Sequence, residues 1–175
     1  MLFRGTNTEV SVWQRFKVEA DAFTFTSKDG VFSSHVVANA ERLVDLFHAL
    51  TEHLPPAVDV AMLDLRSGRS WKAEALPLDD VRDQINRLKV LLGRYGGVEI
   101  SVYTSEDQLT LNPHLELFVY ARTDRWYYLL EAKGLEEQAK VRVKSWKQGR
   151  GQFPAAAELV NAIQTMVERL GLQRA

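Results

Sequence analysis

No cysteine occurs anywhere in the 175 residues. That absence removes disulfides, thiolate nucleophiles, thiolate zinc sites and iron–sulfur clusters together, and it predicts a reducing, cytoplasmic setting. An excess of one charge is missing as well. The chain has 22 Lys and Arg against 23 Asp and Glu, a formal net charge of −1. No global field therefore steers a nucleic acid or an anionic membrane, and electrostatic recognition must be local. No stretch approaches the roughly 18 apolar residues of a membrane helix, and the opening MLFRGTNTEVSVW has no apolar core of signal-peptide length. Gly149-Arg150-Gly151 lacks the Gly-Lys-Ser/Thr ending of a phosphate loop and the spacing of a dinucleotide loop, and no serine sits in a G-x-S-x-G elbow.

What remains is a balanced globular composition, 46% hydrophobic and 26% charged. A chain of this length is expected to form one domain, residues 1–175, that needs no metal or disulfide to fold. Val10, Val12, Phe16 and Val18 alternate like a half-buried strand, as do Phe23 and Phe25. Lys28-Asp29-Gly30 predicts a hairpin into a strand over Val31 to Val37. Asn39 is placed to cap a helix carrying Leu43, Val44, Phe47, Leu50 and Leu54, and Pro55-Pro56 ends it. Val58 to Leu65, the turn Arg66 to Arg69, and Trp71 to Leu76 predict two strands. A second helix carries Val81, Ile85, Leu88 and Leu92 and stops at Gly96-Gly97.

The second half reads as strands over Val98 to Thr104, Gln108 to Asn112, Leu115 to Ala121 and Arg125 to Ala132. Leu135 to Trp146 mixes a helical turn with strand-like alternation. A last helix presents Leu159, Ile163, Met166 or Val167, and Leu170. The expectation is an α+β fold, a largely antiparallel sheet with three amphipathic helices packed on it. The β-α-β-β-α-β order over 31–104 matches the split order of ferredoxin-like folds, an order that many functions share.

Few residues form a chemical constellation. Of the four histidines, His35, His48, His53 and His114, only His48 and His53 are close in sequence. Five positions apart, they lie about 140° apart around a helix, which disfavours a shared metal, so no metal or other cofactor is expected. Asp59 and Asp64 fall on opposite faces of one strand, and helix capping accounts for Asp79, Asp80 and Asp83.

Glu131-Ala132-Lys133 ends an apolar run, with Glu116 as the nearest earlier acid beside Pro113. A strand ending in Glu-x-Lys with an acid on a neighbouring strand resembles the core of the PD-(D/E)xK nucleases. That resemblance implies that Glu116 and Glu131 would hold Mg²⁺ and that Lys133 would activate water or stabilise charge at the phosphate. The sequence departs from the pattern where His114, not an aspartate, follows Pro113. A terminal ion pair is the plainer reading of Glu-x-Lys.

Lys140, Arg142 and Lys144 alternate with Val141 and Val143, and Trp146, Lys147 and Arg150 follow, with no acid between 138 and 152. Such a strip can follow a phosphate backbone and stack a base. Alternating lysines equally protect an edge strand. In Trp126-Tyr127-Tyr128, strand alternation would send Tyr127 to one face and its neighbours to the other, one face buried and the other free to anchor a partner. The leading expectation is a non-enzymatic domain that binds a protein partner or its own kind through a sheet face or edge. The alternatives are nucleic-acid binding or Mg²⁺-dependent cleavage using segment 140–150, and a small-ligand pocket between sheet and helices.

Overall fold

The computed structural model describes residues 21–141, 153 and 155–175. The strand expected over Val10 to Val18 lies outside them. The described chain is an α+β fold with a ten-stranded, mostly antiparallel sheet. Its strands are β1 (Ala22–Phe23), β2 (Thr26–Lys28), β3 (Val31–Val37), β4 (Ala57–Asp64), β5 (Arg69–Pro77), β6 (Val98–Tyr103), β7 (Asp107–Leu111), β8 (Leu117–Ala121), β9 (Glu136–Glu137) and β10 (Gln173–Arg174). They lie in the order β10-β5-β4-β6-β7-β8-β3-β1-β9, with β2 also on β3. Helices are α1 (Ala40–Leu50), α2 (Leu78–Tyr95), α3 (Arg125–Ala132) and α4 (Ala157–Leu170).

Period-two alternation builds the core. Val58, Val60 and Met62 of β4, Val98, Ile100 and Val102 of β6, Leu109 and Leu111 of β7, and Leu117 and Val119 of β8 are all buried in one apolar cluster. The buried stripes of all four helices enter that same cluster, through Leu43 and Phe47, Ile85 and Leu88, Trp126 and Leu130, and Leu159 and Ile163. Among the described residues, the helices thus share one face of the sheet.

Local signals explain the turns. Asp29 and Gly30, at φ 53° and 76°, give the mirror-image turn that a two-residue hairpin needs, with Lys28 paired to Val31. At Gly97 (φ 78°) a Cβ would collide with the guanidinium of Arg66 and lie 3.0 Å from the Phe153 ring. Arg66 fills that space because its Nη1 and Nη2 donate to the carbonyls of Gly96 (2.6 Å) and Tyr95 (2.8 Å), closing the end of α2. Burial there pulls the Arg66 pKa down from its usual value, although Asp64 and Tyr95 oppose the shift.

Two expectations are corrected. The β-α-β-β-α-β order over 31–104 is present, but the ferredoxin-like pairing is not. β6 pairs with β4 and β7, and β7 and β8 lie between β6 and β3. Arg125 to Ala132 is helix α3, not a strand. Trp126 and Leu130, four apart, are both fully buried, which is the spacing of a helix stripe. Gly134 (φ 81°) then ends it, its N–H donating to Glu131 and that of Leu135 to Leu130, the glycine-closed helix terminus.

Two substitutions test this packing. The buried Ser34 hydroxyl, 4% exposed, has no hydrogen-bond partner among the described residues, so Ser34→Ala should raise the unfolding free energy by about 1 kcal/mol in urea titrations; a loss of stability would show an interaction absent from this packing. Gly97→Ala should cost at least twice the ~1–2 kcal/mol expected for Gly30→Ala. Both carry positive φ, but only Gly97 has neighbours in the way, and equal costs would discount the Arg66 contact.

Candidate functional site: the helix-free face of the sheet

The residues alternating with the core positions form the other face, and the registers align them in rows. One row runs Lys72, Ala61, Ser101, Thr110, Phe118, His35. The next runs Asp59, Tyr103, Gln108, Tyr120, Ser33, Thr26. Hydroxyls and aromatics therefore share one face of the sheet. Ser101 and Thr110 bond to each other at 2.8 Å, and Gln108 donates to Thr110 at 2.9 Å. His35 stacks on Phe118 with ring centroids 4.6 Å apart and planes 12° apart. Its Nε2 lies 2.7 Å from the Glu116 carboxylate. Tyr120 is 42% exposed. Toward one side, Ala22, Val37 and Val141 make a second, small apolar cluster.

Carboxylates border this face. β4 and β5 slip register between Val58 and Val60, forming a bulge in which Ala75 adopts φ 53° and donates its N–H to Asp59 at 2.8 Å. Glu74, two residues beyond Lys72 on β5, lies on the same face by alternation, within the field of Tyr103. Partial burial, then Asp59 and Glu74, push the Tyr103 phenol above its usual pKa. Glu99 adds a carboxylate on β6, between the buried Val98 and Ile100.

The sheet edges are poor templates. β10 and β9 are two residues each, β9 is a pair of exposed glutamates, and β5 carries the bulge. Short, charged and bulged edges resist pairing with another chain.

The sequence-derived candidates scatter. Glu116 bonds to His35 on the helix-free face. Glu131 lies on α3 in the helix layer, and Lys133, its C-cap, approaches Glu52 at 3.9 Å. The period-two alignment of Glu131 with Lys133 is lost with the strand, so the three do not form the cleft that the nuclease resemblance requires, and they do not fit a Mg²⁺ ion. Among the described residues no cluster of three or more His, Asp or Glu could hold a metal. Lys140 is exposed, while Arg142, Lys144, Trp146, Lys147 and Arg150 lie outside the described residues. No helix among the described residues is long and apolar enough to cross a membrane.

The three aromatics part company because α3 is a helix. Trp126 is buried, its Nε1–H donating to Asp107 at 2.8 Å while Arg125 donates to the other oxygen at 2.6 Å. Tyr128 is 62% exposed. Tyr127 packs edge-on against Phe23 and Phe25, and its hydroxyl donates to Glu137 at 3.0 Å. Sequence reasoning missed the His35–Glu116 pair because 81 residues separate its members and no local pattern joins them.

Tyr127 gives a direct check on the α3–β9 contact. The Glu137 carboxylate, aided by Glu131, pushes its phenol up to about 12 from the usual 10.0. A raised pKa means stabilisation that is full below pH 10.0 and is lost as pH rises through about 12. Ultraviolet titration should therefore show a tyrosine ionising near pH 12 that Tyr127→Phe removes; an unchanged titration curve would count against the bond. No protein-family model matches the chain, and neither a curated protein nor a solved structure matches it.

Proposed function

We propose that this chain is a non-catalytic protein-interaction domain that engages its partner through the helix-free face of its sheet. The observation carrying the reading is Tyr120, 42% exposed in the middle of a row that includes Tyr103 and Gln108, on the side away from the four described helices. Aromatic side chains set among small polar groups supply large contact area at low entropic cost, and such residues dominate binding hot spots. The guarded edges favour the face over strand addition. His35 and Glu116 are held together at 2.7 Å, and the Thr24 hydroxyl is occupied in accepting the His35 backbone N–H at 3.1 Å. Ser33, the hydroxyl on the same strand face, is bonded to Thr26 at 2.8 Å. The cysteine-free composition supports a reducing, cytoplasmic location and a single domain that acts with a protein partner or its own kind.

The acid-free segment 138–152 supports a second reading, nucleic-acid binding through Lys140, Arg142, Lys144, Lys147 and Arg150. One experiment separates the two. A photo-crosslinking amino acid is placed at Tyr120, and separately at Asn86, an exposed position of α2, in cells producing the full chain. Position 120 should yield discrete protein adducts, either a dimer of the chain or one partner, and position 86 should not. Adducts to nucleic acid, or equal adducts from both positions, would overturn the interaction reading.

A further inference from the structure

Resting on that reading, we propose that the partner presents an arginine-bearing basic segment, laid across the rows of Tyr103 and Phe118. Among the described residues, Asp59, Glu74, Glu99 and Glu116 border this face, against the ammonium groups of Lys72 and Lys28. His35 is already engaged by Glu116. Over the whole chain the charges nearly cancel, at −1, so this local excess reflects how the fold distributes charge rather than an acidic composition. The positions are also built. Asp59 is fixed by the Ala75 N–H, and Glu74, an exposed residue two positions from Lys72, shares the side of Tyr103 by the alternation of β5.

Arginine fits this surface better than lysine. Its planar guanidinium stacks on aromatic faces and takes a carboxylate through two parallel bonds. Here half-exposed and exposed rings, Tyr103, Phe118 and Tyr120, lie one or two strands from the acids. A phosphate backbone would meet four carboxylates, which disfavours a nucleic acid on this face even if the chain binds one elsewhere.

The test uses the full chain and four synthetic probes: the decapeptides (Arg-Ser)5, (Lys-Ser)5 and (Gln-Ser)5, and a thymidine oligonucleotide. The arginine peptide should bind most tightly, with affinity falling about threefold or more between low and physiological salt. Glu74→Gln and Glu99→Gln should each weaken it about threefold, and Lys72→Glu should strengthen it by a similar factor. Asn86→Glu on α2 should change nothing beyond about twofold. Tyr120→Ala should weaken the arginine peptide more than the lysine peptide. If (Gln-Ser)5 binds as well as (Arg-Ser)5 and only Tyr120→Ala matters, the basic-partner inference is overturned while the docking face stands. If no face variant alters any peptide, or the oligonucleotide is preferred and responds to the face variants, both fail.

Discussion

Everything in this molecule follows from one-sided burial of a wide sheet. Along β4, β6, β7 and β8 every second residue is aliphatic and buried at or near zero exposure, from Val58 through Val102 and Leu109 to Val119. That stripe must be covered, and four amphipathic helices cover it. The alternate positions are then bound by a different rule. They are Lys72, Asp59, Ser101, Tyr103, Gln108, Thr110 and Tyr120, a mixture of charged, hydroxyl, amide and aromatic groups. Slipping any strand by one residue would exchange the two sets, so the register is enforced by the core, and the surface composition is fixed along with it.

Polar anchors tie the two layers together. Asp107 ends the inward stripe of β7 and accepts from both Arg125 and Trp126, which fixes the angle at which α3 lies down. Asp64 ends the inward stripe of β4 and accepts the N–H groups of Arg66 and Ser67, shaping the turn from which Arg66 reaches the end of α2. Both carboxylates are more than nine-tenths buried, a position tolerable only when the group is bonded. Each therefore fixes geometry at a sheet end where apolar contact alone would allow sliding.

Much of this was legible in the sequence. Asp29-Gly30, Pro55-Pro56 and Gly96-Gly97 mark ends by backbone chemistry, and Leu43-Phe47-Leu50 and Ile85-Leu88-Leu92 repeat at unmistakable helical spacing. The stretch from Trp126 to Leu130 was not legible as helix, because five contiguous apolar or aromatic residues satisfy period two and period 3.6 alike. Gly134 held the discriminating signal, since glycine just past a helix end closes it as Gly171 closes α4. Strand order was beyond reach. β3 finds β8 across about 80 intervening residues, and nothing local encodes that pairing, which is why His35 and Glu116 read as isolated residues.

The acids of the open face show how far composition can mislead about recognition. A net charge of −1 describes a neutral molecule, yet the fold sorts charge by side. In the helix layer acids and bases pair directly, as in Arg87 with Asp83 and Lys89 with Asp45. Among the described residues, the carboxylates of the helix-free face, Asp59, Glu74, Glu99 and Glu116, outnumber Lys72 and Lys28, and beside Glu74 a bulge holds Ala75 at positive φ. A non-glycine residue in that conformation costs on the order of 1 kcal/mol, partly offset here by the Asp59 bond. Strain of this kind persists where surrounding structure over-determines it. The bulge lies on β5 just beyond the two residues that β10 covers, where it interrupts the free pairing template of that strand, and Glu74 beside it acts on the Tyr103 phenol.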